Sequence, residues 1–149
     1  MYNHILITTD GSDFSLQGVD HGIALAKATG AKLTLVTVTQ PFPLIAGGMG
    51  EAAYVSAEVM ESYDQAQSAM ASDLLEAAKA RAAQQGLALE TLHIPDAQAA
   101  AAILQAAKDL GCDLICMASH GHRGLKRLLL GSQAAEVVAH APMPVLIVR

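Results

Sequence analysis

Two stretches of the sequence gather residue types that could do chemistry. The first is Thr8-Thr9-Asp10-Gly11-Ser12, a carboxylate among hydroxyls and a glycine. Such a group can contact a ligand, or it can serve as a helix cap or turn residue. The second runs Ala118-Ser119-His120-Gly121-His122-Arg123-Gly124-Leu125-Lys126-Arg127 and continues to Gly131-Ser132. Gly131-Ser132 opens a predicted helix, where exposed N–H groups and a hydroxyl form an anion site. Gly121 lets the backbone approach a ligand with no Cβ in the way. Arg123, Lys126 and Arg127 place three of the nine Lys and Arg residues within one short run. Against a net charge of −5, that concentration suggests a phosphate. The alternative is a solvated turn ahead of a capped helix, and spacing alone does not separate the two.

Other candidates carry less. His120-Gly121-His122 could offer two imidazoles to a metal, but no carboxylate–histidine helix motif accompanies them; as donors beside a phosphate they fit equally well. His4, His21, His93 and His140 are scattered. Gly47-Gly48-Met49-Gly50 lacks the spacing of a dinucleotide loop and reads as a hinge. The sequence contains no GxxxxGK[ST], which excludes a P-loop. Cys112 and Cys116 would lie about 13 Å apart on one strand, or on separate elements. A disulfide needs Cα atoms within about 7 Å, so none is expected. Two cysteines alone also do not make a zinc site.

The elements that must position these loops follow from periodicity, which switches between two and 3.6 in a regular order. His4–Thr8 reads as a strand. Leu16, Val19, Ile23 and Ala26 then fall at helical spacing, and Gly30 sits where a C-terminal glycine belongs. Lys32–Thr39 is a second strand, stopped by Pro41 and Pro43. The longest helix is expected from Tyr54 to Gln85, with Val55, Val59, Tyr63, Ala66, Met70, Leu74, Ala77 and Arg81 on one face. Tyr54, Met60, Tyr63 and Met70 read as core or dimer-facing. Gly86 ends this helix, and Leu87–Ile94 is a third strand. Asp96 is expected to cap a helix over Ala97–Leu110, which ends at Gly111. Asp113–Ala118 is a fourth strand, Ser132–His140 a helix, and Val145–Val148 a fifth strand. Strands alternating with helices predict a parallel sheet covered on both faces. In such an open α/β sheet, ligands settle beyond the carboxyl ends of the strands, where strand order reverses.

Composition bounds the rest. A chain of 149 residues suits one domain spanning 1–149, able to bury roughly 70% of its unfolded surface. Alanine supplies 29 residues, against three Tyr, two Phe and no Trp, which predicts helices and an aliphatic core. Net charge −5 argues against bulk nucleic-acid binding and against an anionic membrane. The opening Met-Tyr-Asn-His lacks a basic n-region, and no run of about 18 apolar residues exists. A soluble, cytoplasmic protein is therefore expected.

Met117-Ala118-Ser119-His120-Gly121, then nine residues, then Gly131-Ser132, then Ala141-Pro142-Met143-Pro144-Val145-Leu146-Ile147-Val148 resembles the universal stress protein family. Ile5-Leu6-Ile7-Thr8-Thr9-Asp10-Gly11-Ser12 is similar to that family's opening strand and aspartate, and the resemblance covers the whole chain. It implies a Rossmann-like open five-stranded parallel sheet in the order 3-2-1-4-5. Nucleotide-binding members carry Gly-x2-Gly-x9-Gly-Ser/Thr. Here Ala118 stands where the first glycine would be, followed by Gly121, Gly131 and Ser132. Gly124 does not restore the pattern, because only six residues separate it from Gly131.

The resemblance further implies an adenine nucleotide, ATP foremost, accompanied by a divalent cation such as Mg2+ or Mn2+. Asp10, with Thr9 before it, would lie on the ribose and adenine side, and the Val38 backbone at the adenine edge. Met117 and Ala118 would line the nucleoside. Gly121, Gly131, Ser132 and the Gln133 N–H would hold the phosphates, with His122 and Arg123 beside them. It also implies a homodimer through the C-terminal strand, an apolar edge free of Lys and Pro. The loop from Ala118 to Ser132 carries no carboxylate to act as a base, so any hydrolysis is expected to be slow. Three functions remain: a nucleotide-binding stress or signalling module, a slow nucleotide hydrolase, and a nucleotide-free interaction protein, the last favoured by Ala118. A receiver domain is not expected, because no Lys follows the fifth strand.

Overall fold

Runs rich in Ile, Leu, Val and Thr extend, alanine-rich runs coil, and the two kinds alternate. In the computed structural model, which describes residues 1–43, 56–121 and 130–149, the order is β1 (His4–Thr8), α1 (Asp13–Thr29), β2 (Lys32–Val38), α2 (Ala57–Gln84), β3 (Glu90–Ile94), α3 (Ala99–Asp109), β4 (Leu114–Ala118), α4 (Ser132–His140) and β5 (Val145–Val148). These strands form one sheet in the order β3-β2-β1-β4-β5, and every pairing is parallel. Each parallel step needs a crossover, which the helices provide. Ile5 and Ile7 of β1, Leu33 and Leu35 of β2, and Leu114 and Cys116 of β4 pack with α1 and α2 on one face. Leu6, Val36, Ile115 and Met117 pack with α3 and α4 on the other. All five residues of β1 are buried, as a central strand covered on both faces requires. The expected sheet, strand order and two-sided helical cover are all present.

Helix α1 lies close on the sheet because two glycines, one turn apart, face it. A Cβ at Gly18 would stand 3.1 Å from the Ala118 nitrogen, and one at Gly22 would overlap Ile7 Cδ1 and Cγ1. The Ser12 hydroxyl accepts from the Ser15 N–H to cap the start of α1. Gly30, at φ 72°, donates its N–H to Ala26 O and ends the helix as expected.

The amino end of the sheet is tied by one carboxylate. Asp113 accepts from the Asn3 N–H at 2.8 Å and the His4 N–H at 3.0 Å, and also from the Asn3 side-chain amide. Those donors, the His4 N–H first, hold the Asp113 carboxyl below the usual carboxylate range. The His4 ring bridges Leu110 O and Thr34 Oγ1, so this residue is part of the frame rather than the site.

Four expectations need correction. The buried face of α2 is Ala71, Leu75, Ala78 and Ala82, rotated by one position from the stripe through Leu74, Ala77 and Arg81. The large residues suggested that stripe, but alanines let the helix close on β2 and β3. Val59 and Met70 are 51% and 67% exposed, and Met60 is exposed as well, so none of the three is core. Tyr63 is half-buried, packed edge-on against Phe42 with ring centroids 5.1 Å apart. The helix starts at Ala57 behind a Ser56 cap; Val55 and Tyr54 lie outside the described residues, as does the Gly47–Gly50 run. Strand β3 starts at Glu90 rather than Leu87. Asp96 does not cap α3: it takes φ 51°, a turn conformation an aspartate tolerates, and Gln98 is the cap residue, without a side-chain bond. Cys112 lies ahead of β4 in the α3–α4 layer and Cys116 in the α1–α2 layer, both free thiols.

Candidate functional site

Strand order reverses between β1 and β4, whose register pairs Ile7 with Cys116. The chain leaves β1 for α1 on one face and enters β4 from α3 on the other. The carboxyl ends of these two neighbours therefore open a crevice, bounded by residues 9–12 and by residues 119–121 with the start of α4.

On the β1 side, the Thr9 and Asp10 side chains both bond to neighbouring groups. The Thr9 N–H donates to Val36 O, and its hydroxyl is bonded to the Ser15 hydroxyl at 2.9 Å and accepts from the Gly11 N–H. Thr9 is buried, and its side chain belongs to the scaffold beneath the crevice. Asp10 is exposed, and its Oδ1 accepts from the Ser12 N–H at 3.0 Å and the Ser12 hydroxyl at 2.6 Å. This carboxylate steadies the residue that caps α1, with Gly11 at φ 82° completing the turn. Asp10 Oδ2 lies against Gly121, where any Cβ would collide with it. The glycine is thus needed where the two loops meet, and Asp10 and Gly121 do lie side by side.

On the β4 side, the Ser119 N–H donates to Val148 O and the Ser119 carbonyl accepts from the Gly131 N–H, both at 2.8 Å. That second bond closes the loop and sets the start of α4 beside the end of β4. The Ser119 hydroxyl is bonded to His120 Nδ1 at 3.0 Å. Gly131 is the cap residue of α4, at φ −60° and ψ 154°, and provides no side-chain cap. The N–H groups of the first turn therefore have no cap oxygen from their own chain end, which suits an anion. A Cβ at Gly131 would stand 3.1 Å from the Ser119 carbonyl, so this glycine also serves packing. Ser132 is exposed at the first helical position, and Gln133 follows it, half-buried.

Val38 ends β2 and packs in the same layer as buried Met117. Ala118 pairs in register with Val148, which packs on the α1 side. Side chains alternate along a strand, so the Ala118 methyl faces α1 while Met117 faces α3 and α4. An alanine in place of the first motif glycine therefore adds its methyl away from the Met117 side of the crevice. His122, Arg123, Lys126 and Arg127 lie outside the described residues. Among the described residues, no cluster of three or more His, Cys, Asp or Glu could hold a metal ion. Open concavities of the described surface lie elsewhere, along α2 at Met60, Glu61 and Asp64 and between α1 and α2 beside Asp20 and Arg81.

Sequence reasoning gave no structural role to three contributors: Ser15, which underpins Thr9; Ser119, quoted in the candidate loop, which joins β4 to α4; and the Gln133 side chain, which accepts a bond from another helix. Ser15 could have been found as the third residue after the Ser12 cap. Gln133 could not, because its partner is remote in sequence.

The chain matches the universal stress protein family over residues 1–149. It is 33% identical over 149 residues to the universal stress protein YxiE of Bacillus subtilis, covering all of both chains. It is 36% identical over 152 residues to a universal stress protein of Thermus aquaticus, again over the whole of both. Among solved structures it resembles the universal stress protein UspA of Lactobacillus plantarum, with TM-score 0.83, 25% identity and 99% and 98% of the two chains covered. A universal stress protein in complex with cAMP matches with TM-score 0.68 and 27% identity over 99% and 97% of the chains.

Proposed function

The chain belongs to the universal stress protein family, and from that premise we propose that it binds an adenine nucleotide, ATP, in the crevice between β1 and β4. The observation that carries this reading is the start of α4. Its cap residue is a glycine without a side-chain bond, and it is tethered to Ser119 one short loop away from Asp10 and Gly121. The first-turn N–H groups and the Ser132 hydroxyl would receive phosphate oxygens, and Asp10 would accept from the ribose hydroxyls. Val38 and Met117 offer an apolar flank for the base. A relative solved with cAMP supports the ligand class. Bound nucleotide acts as a signal in a stress-response module, because hydrolysis would be slow. Asp10 Oδ1 is occupied by Ser12, and the loop from Ala118 to Ser132 has no carboxylate to orient a water.

The same proposal includes a homodimer through β5. This strand is the sheet edge beside β4, and Leu146 on it is 37% exposed. A second copy offering the same strand would satisfy both edges at once. Among the described residues no helix is long and apolar enough to cross a membrane. Two buried, unpaired thiols support a reducing compartment such as the cytoplasm.

Mass spectrometry of nucleotide released from the purified, denatured protein, followed by calorimetry of the nucleotide-free protein with ATP, tests the reading. Bound adenine nucleotide with a saturable heat of binding is expected. No released nucleotide and no binding heat would overturn it in favour of a nucleotide-free interaction protein. Gly131→Val is a poor probe of the ligand alone, because its side chain would press on the Ser119 carbonyl with or without phosphate.

A further inference from the structure

Helices α3 and α4 pack side by side and begin at the same end of the sheet. Neither is capped by its own cap residue: Gln98 and Gly131 both lack a side-chain bond to the first turn. For α3 the missing bond comes from across the gap. Gln133 Oε1 accepts from the Ala100 N–H at 2.9 Å. Ala100 is the second residue of α3, one of the N–H groups a cap oxygen normally satisfies. Gln133 is likewise the second residue of α4. A single residue thus caps the neighbouring helix with its side chain while its own backbone N–H stands in the uncapped turn of α4.

Resting on the nucleotide reading above, we infer that Gln133 is a positioning residue that couples phosphate occupancy at the start of α4 to the order of the first turn of α3. The two tasks share one residue, so they share its conformation. A phosphate on the first-turn N–H groups of α4 holds the Gln133 backbone, and a held backbone keeps the amide oxygen on Ala100. Linkage makes this reciprocal: an ordered α3 start presents the α4 donors already oriented, and a frayed one does not. The nucleotide thereby reaches α3, the helix between β3 and β4, without contacting it.

The test uses the full chain with Gln133→Met, which keeps length and removes the acceptor, and Gln133→Glu, which keeps an acceptor oxygen. Hydrogen exchange by NMR should show the Ala100 amide exchanging about fivefold faster in the Met variant and protected in the Glu variant. Saturating ATP should slow that exchange in the wild type and leave it unchanged in the Met variant. By calorimetry, the Met variant should bind ATP about threefold to fivefold more weakly while adenosine binding stays within about twofold. A merely structural role would weaken both ligands together or neither, and that result overturns the inference, as does unchanged Ala100 exchange in the Met variant. A wild type that binds no ATP overturns the nucleotide reading and the coupling with it. A wild type that binds ATP without slowing Ala100 overturns the coupling alone.

Discussion

Gly22→Ala tests how tightly α1 is seated on the sheet. The added methyl would overlap Ile7 Cδ1 and Cγ1 and lie 3.7 Å from Cys116 Sγ. Ile7 is fully buried, and its backbone is paired on both sides, with Leu35 and with Cys116. Relief must come from rotating a stiff β-branched side chain or from lifting α1. Overpacking of this kind costs about 1–3 kcal/mol. Alanine is better than glycine within a helix by about 1 kcal/mol, which offsets part of that. Because two heavy atoms are overlapped, the upper part of the range applies, leaving a net loss of about 1–2 kcal/mol and about 3–8 °C in Tm. Urea denaturation should show a lower midpoint with an unchanged slope. Ile7→Val removes Cδ1 and costs about 0.5–1.5 kcal/mol alone. Combined with Gly22→Ala, it should recover about 1 kcal/mol relative to the sum of the single changes. A Gly22→Ala protein as stable as the wild type, or more stable, would refute the reasoning and show slack beneath α1.

Asp113→Asn should lower Tm at neutral pH. The folded carboxyl titrates below its ordinary value, so its contribution is complete above the ordinary carboxylate pKa and fades as pH falls through the folded one. The gap between wild type and variant should therefore close in acid, and a gap independent of pH would count against the tie to Asn3 and His4. Burial pushes the Cys112 and Cys116 thiols up to about 11; Asp113 adds to the effect at Cys112. Native protein at pH 8 should resist alkylation of both over hours, while urea-unfolded protein reacts with two equivalents; fast native labelling would contradict the burial. On the proposed β5 dimer, Leu146→Lys should shift the protein to monomer by light scattering with Tm within a few degrees of wild type. Ile147 is a worse choice because it packs against the α4 layer. A Leu146→Lys protein that remains dimeric would remove β5 from the interface.

Most of the fold was legible because each strand is a short apolar run bounded by turn residues, and because Gly30, Gly86 and Gly111 take positive φ near the predicted helix ends. The meeting of Asp10 with Gly121 was legible only through the strand order, which the family resemblance supplied. The face of α2 was misread because pattern reasoning weights Val59 and Met70 above Ala71 and Ala78, whereas close helix–sheet packing selects the small residues. Asp96 was misread because a capping side chain and a turn-forming one look alike in sequence. Gly18 and Gly22, one turn apart on the apolar side of α1, carried a signal of close approach that the sequence reading passed over. The Gln133–Ala100 bond joins residues on different helices, and no local pattern encodes it.

The pairing of β1 with β4 has a consequence in time. Residues 5–7 meet residues 114–116 at the centre of the sheet, so β1 waits for a strand made long after it. Until β4 emerges, one side of β1 has no strand against it, although α1 and β2 can already pack on the rest. Such long-range closure slows folding and leaves an apolar strand edge open to other chains. Asp113, immediately ahead of β4, grips Asn3 and His4 as that gap is filled. Its substitution should lower the yield of refolded protein at high concentration more than equilibrium stability alone would suggest.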